Sequence, residues 1–193
     1  MSLTLVNPPK KCVELASEAV QQLLLGGAPG MPVIGSRELV TLALPLQAYT
    51  LGLDDVARHS LRKARKTTWR FLVLERDTAI AAVEIDVSQG QAKMGFSSIE
   101  TGPFVQETVR AITFAEGLRE VAENDYAVRV LSIPALYVFS LWLHRQGDDD
   151  LIFAMPPTNQ ELIPNHLYKP EELFRSLAPA AERQLAFDPS AQA

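Results

Sequence analysis

From Val130 to Leu143 no residue carries a formal charge, and the run is dense in Val, Ile, Leu, Tyr, Phe and Trp. These are the side chains that suit a buried, pleated surface. A membrane-spanning helix needs about 20 apolar residues, so a run this short reads as protein core. Three consecutive strands are expected around it: Ala127 to Ile133, Ala135 to His144 and Leu151 to Met155. In the middle strand a period of two puts Ala135, Tyr137, Phe139, Leu141 and Leu143 on one face, and Leu136, Val138, Ser140, Trp142 and His144 on the other. Both faces are apolar over most of their length, as expected of a strand covered on two sides. Pro134 has no amide proton, so it should bend or interrupt the ladder between the first two strands.

A chain of 193 residues can bury about 70% of its unfolded surface, enough for a core without covalent staples. Its hydrophobic content of 47% and charged content of 21% are those of an ordinary soluble globular protein. The start, Met1 to Lys10, has neither a charged leader nor a long apolar core, and Cys12 is the single cysteine. Both observations point to the reducing cytoplasm, with no disulfide and no membrane partner. The net charge of −5 argues against general nucleic-acid binding, which draws on a basic domain or face.

In chain order, Lys10 to Leu25 reads as a helix, with Val13, Ala16, Val20, Leu23 and Leu24 recurring at helical steps and Gly26-Gly27 as its stop. Residues 26–36, rich in glycine, form a connector. Glu38 to Leu44 reads as a strand that Pro45 ends, and Leu53 to Lys66 as one or two short helical turns. A three-strand meander follows: Thr68 to Glu75, Thr78 to Val87 and Ala92 to Ile99, with turns at Arg76-Asp77 and Gln89-Gly90-Gln91. Pro103 to Asn124 is expected to be one amphipathic helix that covers a sheet face. After the central strands come a loop over 156–168, a helix over 170–185 with Leu173, Leu177, Ala180 and Ala181 inward, and a frayed tail over 187–193. Meanders with helices segregated between them predict a single α+β domain with a mainly antiparallel sheet, packed by helices 10–25, 103–124 and 170–185.

That order of elements is similar to the one in dimeric chaperones of bacterial secretion substrates, from which the long connector and the strand after the last hairpin depart. The resemblance lies in order alone, without a shared motif, and implies at most a dimer with a protein-binding surface.

Chemical signatures are sparse. There is no Walker-type phosphate loop, no Gly-x-Gly-x-x-Gly after a strand, no Gly-x-Ser-x-Gly elbow and no His-Glu-x-x-His, so no cofactor is expected. His144 with Asp148, Asp149 and Asp150 has the composition of a cation site, but on a hairpin tip such side chains diverge, and a solvated acidic turn is the reading. No metal is expected. Ser140 and His144, four apart on a strand, are separated by about 13 Å and cannot form a nucleophile–base pair. Cys12 reads as a small apolar residue rather than a nucleophile. Glu84 and Asp86 lie about 7 Å apart on one strand face, an acid–base spacing that a wet sheet edge also explains. His59 and His166 stand in polar segments without evident partners.

The most uneven charge feature is the basic run Arg58, His59, Arg62, Lys63, Arg65, Lys66 and Arg70. It is the candidate recognition surface, since clustered cations create a local positive field even on an acidic chain. A solvated helix face is the plainer account of it. The sequence favours a non-catalytic binding or protein-interaction module, homodimeric if a second copy closes the remaining sheet face. The alternative is a small hydrolase or transferase whose polar groups gather in a pocket between sheet and helix, and a weaker one is a nucleotide or nucleic-acid binder through residues 58–70. Two or more of Glu84, Asp86, His59, His144 and His166 in one pocket would favour the second class.

Overall fold

The computed structural model describes residues 3–24, 39–90, 93–147 and 149–187, with the side chains of Leu23 and Leu24 left aside. Leu25, the connector at 26–36, Glu38, Gln91, Ala92, Asp148 and the tail beyond Phe187 lie outside the described residues. The described residues form five α-helices and nine strands, mostly antiparallel with one parallel pair. The architecture is mixed α+β, with a larger sheet content than a three-strand meander plus the central strands. The chain divides into two compact units, one comprising Met1–Thr4, Tyr49–Arg65 and Ala111–Ala193, the other Leu5–Ala48 and Lys66–Arg110.

The second unit, Leu5–Ala48 with Lys66–Arg110, holds the meander. Its strands β2 (Val40–Thr50, of which 40–48 lie here), β3 (Arg65–Glu75), β4 (Thr78–Asp86) and β5 (Gly95–Glu100) are ordered β5-β4-β3-β2. Arg76, at φ 55°, turns β3 into β4, and Trp69, Phe71 and Val73 face Ile85, Val83 and Ala81 across the ladder. Helix α1 (Lys10–Ala19) lays Cys12, Ala16 and Ala19 on that layer. Ala16 and Val20 of the expected stripe are buried, but Val13 is exposed and Cys12 and Ala19 take part in the contact instead. Small side chains at these positions let the helix lie close to the bulky sheet residues. The helix also ends earlier than expected: Val20–Leu24 widens into a π-helical turn. On the other face, Leu72, Ala79 and Ala82 pack against Val105.

Two expectations about this unit need correction. Pro45 does not end its strand, because β2 continues to Thr50. Leu44 takes a left-handed φ of 46° just before it, the kind of local irregularity at which a strand tolerates proline. The basic residues Arg65 and Lys66 open β3 rather than close a helix.

The first unit holds the uncharged run. Strands β6 (Tyr126–Ile133), β7 (Val138–His144), β8 (Leu151–Ala154) and β9 (Leu167–Tyr168) form an antiparallel series. A short β1 (Leu3–Thr4) pairs with β6 in parallel, Leu3 opposite Tyr126. The middle strand is shorter than expected, since Pro134–Leu136 forms a 3-10 turn and Tyr137 takes a left-handed φ of 53°. The face assignment survives from Val138 onward. Val138, Ser140 and Trp142 are buried on one side, Leu141 and Leu143 on the other. The loop at 156–168 ends in β9, a strand too short to show a period.

Helix α2 (Leu53–Ala57) and helix α5 (Pro170–Phe187) cover the Val138–Trp142 face. Leu173, Phe174, Leu177 and Ala181 pack there against Leu131, Ile133 and Ile152. Each fully buried Leu, Ile or Phe contributes about 1.5–3 kcal/mol. The long helix expected over 103–124 is broken into α3 (Pro103–Glu116) and α4 (Arg119–Ala122). Gly117 is a poor helix residue, and Leu118 is extended at φ −79°, ψ 131°, so the chain restarts there.

Candidate functional site

Two cavities in the first unit are lined by described residues. The larger, about 760 Å³, is lined by Tyr137, Asn159, Glu161, Arg183 and Phe187 among others. Its polar groups already serve one another: Arg183 pairs with Glu161 at 2.9 Å, and the Asn159 amide donates to the Leu136 carbonyl at 2.8 Å. The smaller, about 610 Å³, is lined by Tyr49, His59, Ser60, Leu61, Arg62, Ala64, Arg129, Trp142, His144, Asp150, Pro170, Glu171 and Phe174. Its groups are not all matched, and the chemistry is there.

Its wall is built by register. Arg129 on β6 is opposite Trp142 on β7, and Ala127 is opposite His144, so Arg129, Trp142 and His144 project from the same side of the sheet. Leu143 pairs with Leu151, which sets Asp150 at the base of the hairpin facing His144. The Asp150 carboxylate lies 2.9 Å from His144 Nδ1 and accepts the Arg145 backbone N–H at 2.9 Å. Tyr49 enters from the end of β2. His59 closes the short helix α2 with φ 53°, a conformation that costs a non-glycine residue about 1–3 kcal/mol. Its ring stacks on Phe174 of α5 at 5.8 Å, 12° from parallel.

Arg129 is the centre of this wall. Its guanidinium carbon sits 5.0 Å from the Tyr49 ring and 4.9 Å from the Trp142 ring, and the two rings meet edge to face at 5.1 Å. Such cation–π contacts hold a charge in an apolar setting. Among the described residues no carboxylate lies in ion-pair range of it, and its buried Nε has no hydrogen-bond partner. The buried indole Nε1 of Trp142 likewise has none. Both atoms are closed off from solvent, as are the equally unpartnered Nε of Arg70 and Nε1 of Trp69 in the second unit.

The expected recognition run is distributed differently. Arg58, His59, Arg62, Lys63 and Arg65 belong to the first unit, whereas Lys66 and Arg70 belong to the second. Arg58 reaches Asp54 at 3.9 Å, Lys66 sits over Trp69 at 4.6 Å, and only His59 and Arg62 line the cavity. Arg70 is not a surface residue: at 1% exposure it is clamped by Glu84 at 2.8 Å and Glu100 at 2.6 Å. Glu84 also accepts the Thr68 hydroxyl at 3.2 Å, so it serves Arg70 rather than forming a pair with Asp86. Hydrogen bonds from Ser88 hold the Asp86 carboxyl below its usual range.

The acidic turn divides as well. Asp149 faces out toward Arg145 at 3.4 Å, while Asp150 turns in. Among the described residues no three His, Cys, Asp or Glu side chains converge as a metal site. His166 packs on Tyr168 at 4.6 Å, outside the cavity lining. Ser140 is buried with no hydrogen-bond partner for its hydroxyl. Cys12 is buried against Met94, and burial raises its thiol pKa. Of the five titratable candidates, His59 and His144 alone meet at one cavity.

Sequence reasoning missed Arg129, Tyr49, Trp142 and Phe174 as site residues. One signal was present: Arg129 is the only charged residue between Tyr126 and Leu143. No family model, curated protein or solved structure matches this chain. No helix among the described residues is long and apolar enough to cross a membrane.

Proposed function

We propose that the protein is a binding module whose ligand is a small molecule seated in the cavity walled by β6, β7 and α5. The observation that carries this reading is convergence. Tyr49, the His59–Ala64 segment, Arg129, the Trp142–Asp150 hairpin and the first turn of α5 are distant in sequence, yet all line one cavity of about 610 Å³. That volume lies within the range of ligand sites, and the lining is mixed, with Tyr49, Leu61, Trp142 and Phe174 beside Arg62, Arg129, His144 and Asp150. A fragment panel followed by protein-observed NMR tests it. Saturable binding that Ala64→Trp abolishes, by filling the cavity, is the expected result. Binders whose affinity Ala64→Trp leaves unchanged, or no binders at all, would overturn it.

A second reading, a hydrolase or transferase, is favoured by His59 and His144 lining one cavity, which meets the criterion stated for that class, and by the His144–Asp150 contact at 2.9 Å. A carboxylate on Nδ1 fixes the imidazole and leaves Nε2 for proton transfer. Turnover of p-nitrophenyl acetate or p-nitrophenyl phosphate that His144→Gln removes would establish it over the module. Charge reversal at Arg62, Lys63 and Arg65 tests the nucleic-acid reading: RNA affinity with unchanged salt dependence would remove it. Homodimerisation is a proposal resting on the apolar sheet faces, and light scattering at micromolar concentration decides it.

A further inference from the structure

Resting on that reading of the cavity, we infer that the ligand is an oxyanion carried on a flat ring, an aryl carboxylate or an aryl phosphate, with Arg129 as the group that holds its charge. The unmatched guanidinium is the starting point. A buried or half-buried arginine ordinarily finds a carboxylate, as Arg70 does in the second unit with Glu84 and Glu100, because an uncompensated cation in an apolar wall is costly. Arg129 has instead two aromatic faces, Tyr49 and Trp142, which hold its plane and leave its charge unneutralised.

The other charged groups in the lining do not supply the missing anion. Asp150 is engaged by His144 and the Arg145 amide, and Glu171 lies exposed in the first turn of α5. Neither comes within 4 Å of Arg129, while Arg62 adds a second cation to the lining, and His59 and His144 add positive charge when protonated. A guanidinium recognises carboxylate and phosphate oxygens best, since its planar fork matches their geometry. The ring follows from the planar groups still open to the cavity: Tyr49 is half-buried and His59 exposed, with Trp142 and Phe174 buried behind them at 5% and 1% exposure, and flat side chains favour a planar partner.

The chain has two tryptophans, one at this wall and one, Trp69, in the second unit, so their indole N–H resonances give a reporter and an internal control. Benzoate, phenyl phosphate, benzyl alcohol, benzamidine and inorganic phosphate are titrated in turn. Benzoate or phenyl phosphate should shift the Trp142 indole saturably and leave Trp69 unmoved, and the tighter of the two identifies the headgroup. Benzyl alcohol and benzamidine should bind at least about tenfold more weakly, the scale of one charge-assisted hydrogen bond. Inorganic phosphate should also be weaker, having no ring to stack. Arg129→Met should weaken the anion about tenfold or more. Arg129→Lys, which keeps the charge and the aliphatic stem, serves as the second variant and should lose less.

Two outcomes would overturn the oxyanion while leaving the cavity reading intact: neutral or cationic rings shifting Trp142 as strongly as the anions, or Arg129→Met binding them unchanged. If none of the five compounds shifts Trp142, the oxyanion assignment is overturned. The panel with Ala64→Trp then decides separately whether the cavity takes a ligand of another kind.

Discussion

Arg70 and Arg129 are both arginines on strands amid apolar neighbours, and they have opposite surroundings. Arg70 in the second unit is 1% exposed and clamped by two carboxylates. Arg129 in the first unit is held between two rings, with no carboxylate of the described residues in range. A charge matched inside the protein serves the fold. One left unmatched beside a cavity is available to something that enters it, and the difference separates a structural arginine from a recognition arginine without reference to any relative.

The sharpest way to break that comparison is to remove each charge. Arg70→Met leaves Glu84 and Glu100 facing each other without their cation, and should lower the unfolding free energy by about 3 kcal/mol in urea titration. Adding Glu84→Gln and Glu100→Gln should recover a good part of the loss, since removing a whole buried ion group is far less costly than orphaning half of it. Arg129→Met should cost under about 1 kcal/mol, because the lost cation–π contacts are offset by relief of an uncompensated charge. If both methionine variants are equally destabilised, Arg129 has a counterion in solution and the contrast fails.

Asp150→Asn comes next. It keeps an acceptor for the Arg145 amide but weakens the hold on His144, so about 1 kcal/mol of stability should be lost. The His144 side-chain NMR signals should broaden or shift; unchanged signals would show that the carboxylate does not fix the ring.

Cys12 gives a further, smaller effect. Burial raises its thiol pKa above the ordinary 9.0, so it stays protonated in the folded chain at pH values where the unfolded chain has lost the proton. Its contribution to stability is therefore complete below the unfolded value and declines as pH rises through the folded one. Cys12→Ala should flatten that alkaline limb, and disulfide reagents should label native Cys12 slowly at neutral pH. Fast labelling would mean the helix α1 face opens readily.

The smallest effect is at Asp86, where hydrogen bonds from Ser88 depress the carboxyl. That stability is present above the unfolded carboxylate range and lost as pH falls through the lowered value. Asp86→Asn should change acid-side stability by well under about 1 kcal/mol at so exposed a position.

Much of the architecture was legible. The meander, the helix over α5 and the two-sided burial of β7 follow from period-two and period-3.6 patterning, which records how each element meets its neighbours. The errors fall where a single residue decided a backbone path. Leu44 kinked so that a strand ran through Pro45, Gly117 broke a helix in two, and Pro134 with Tyr137 shortened the middle strand from its start. The basic run misled for a similar reason. Arg58 to Arg70 is continuous in sequence, yet it bends from α2 into β3, so Arg70 is buried while His59 and Arg62 line a cavity.

By itself the chain determined that there is an apolar core near Val130–Leu143 and that its strands bury both faces, because hydrophobic periodicity is a local property that burial reads directly. Only the tertiary structure decided that Arg129, Trp142, His144, Asp150, His59 and Phe174 share one wall. Strand register and helix docking bring together residues as far apart as His59 and Phe174, and whether a charge finds its counterion depends on that assembly rather than on its neighbours in sequence.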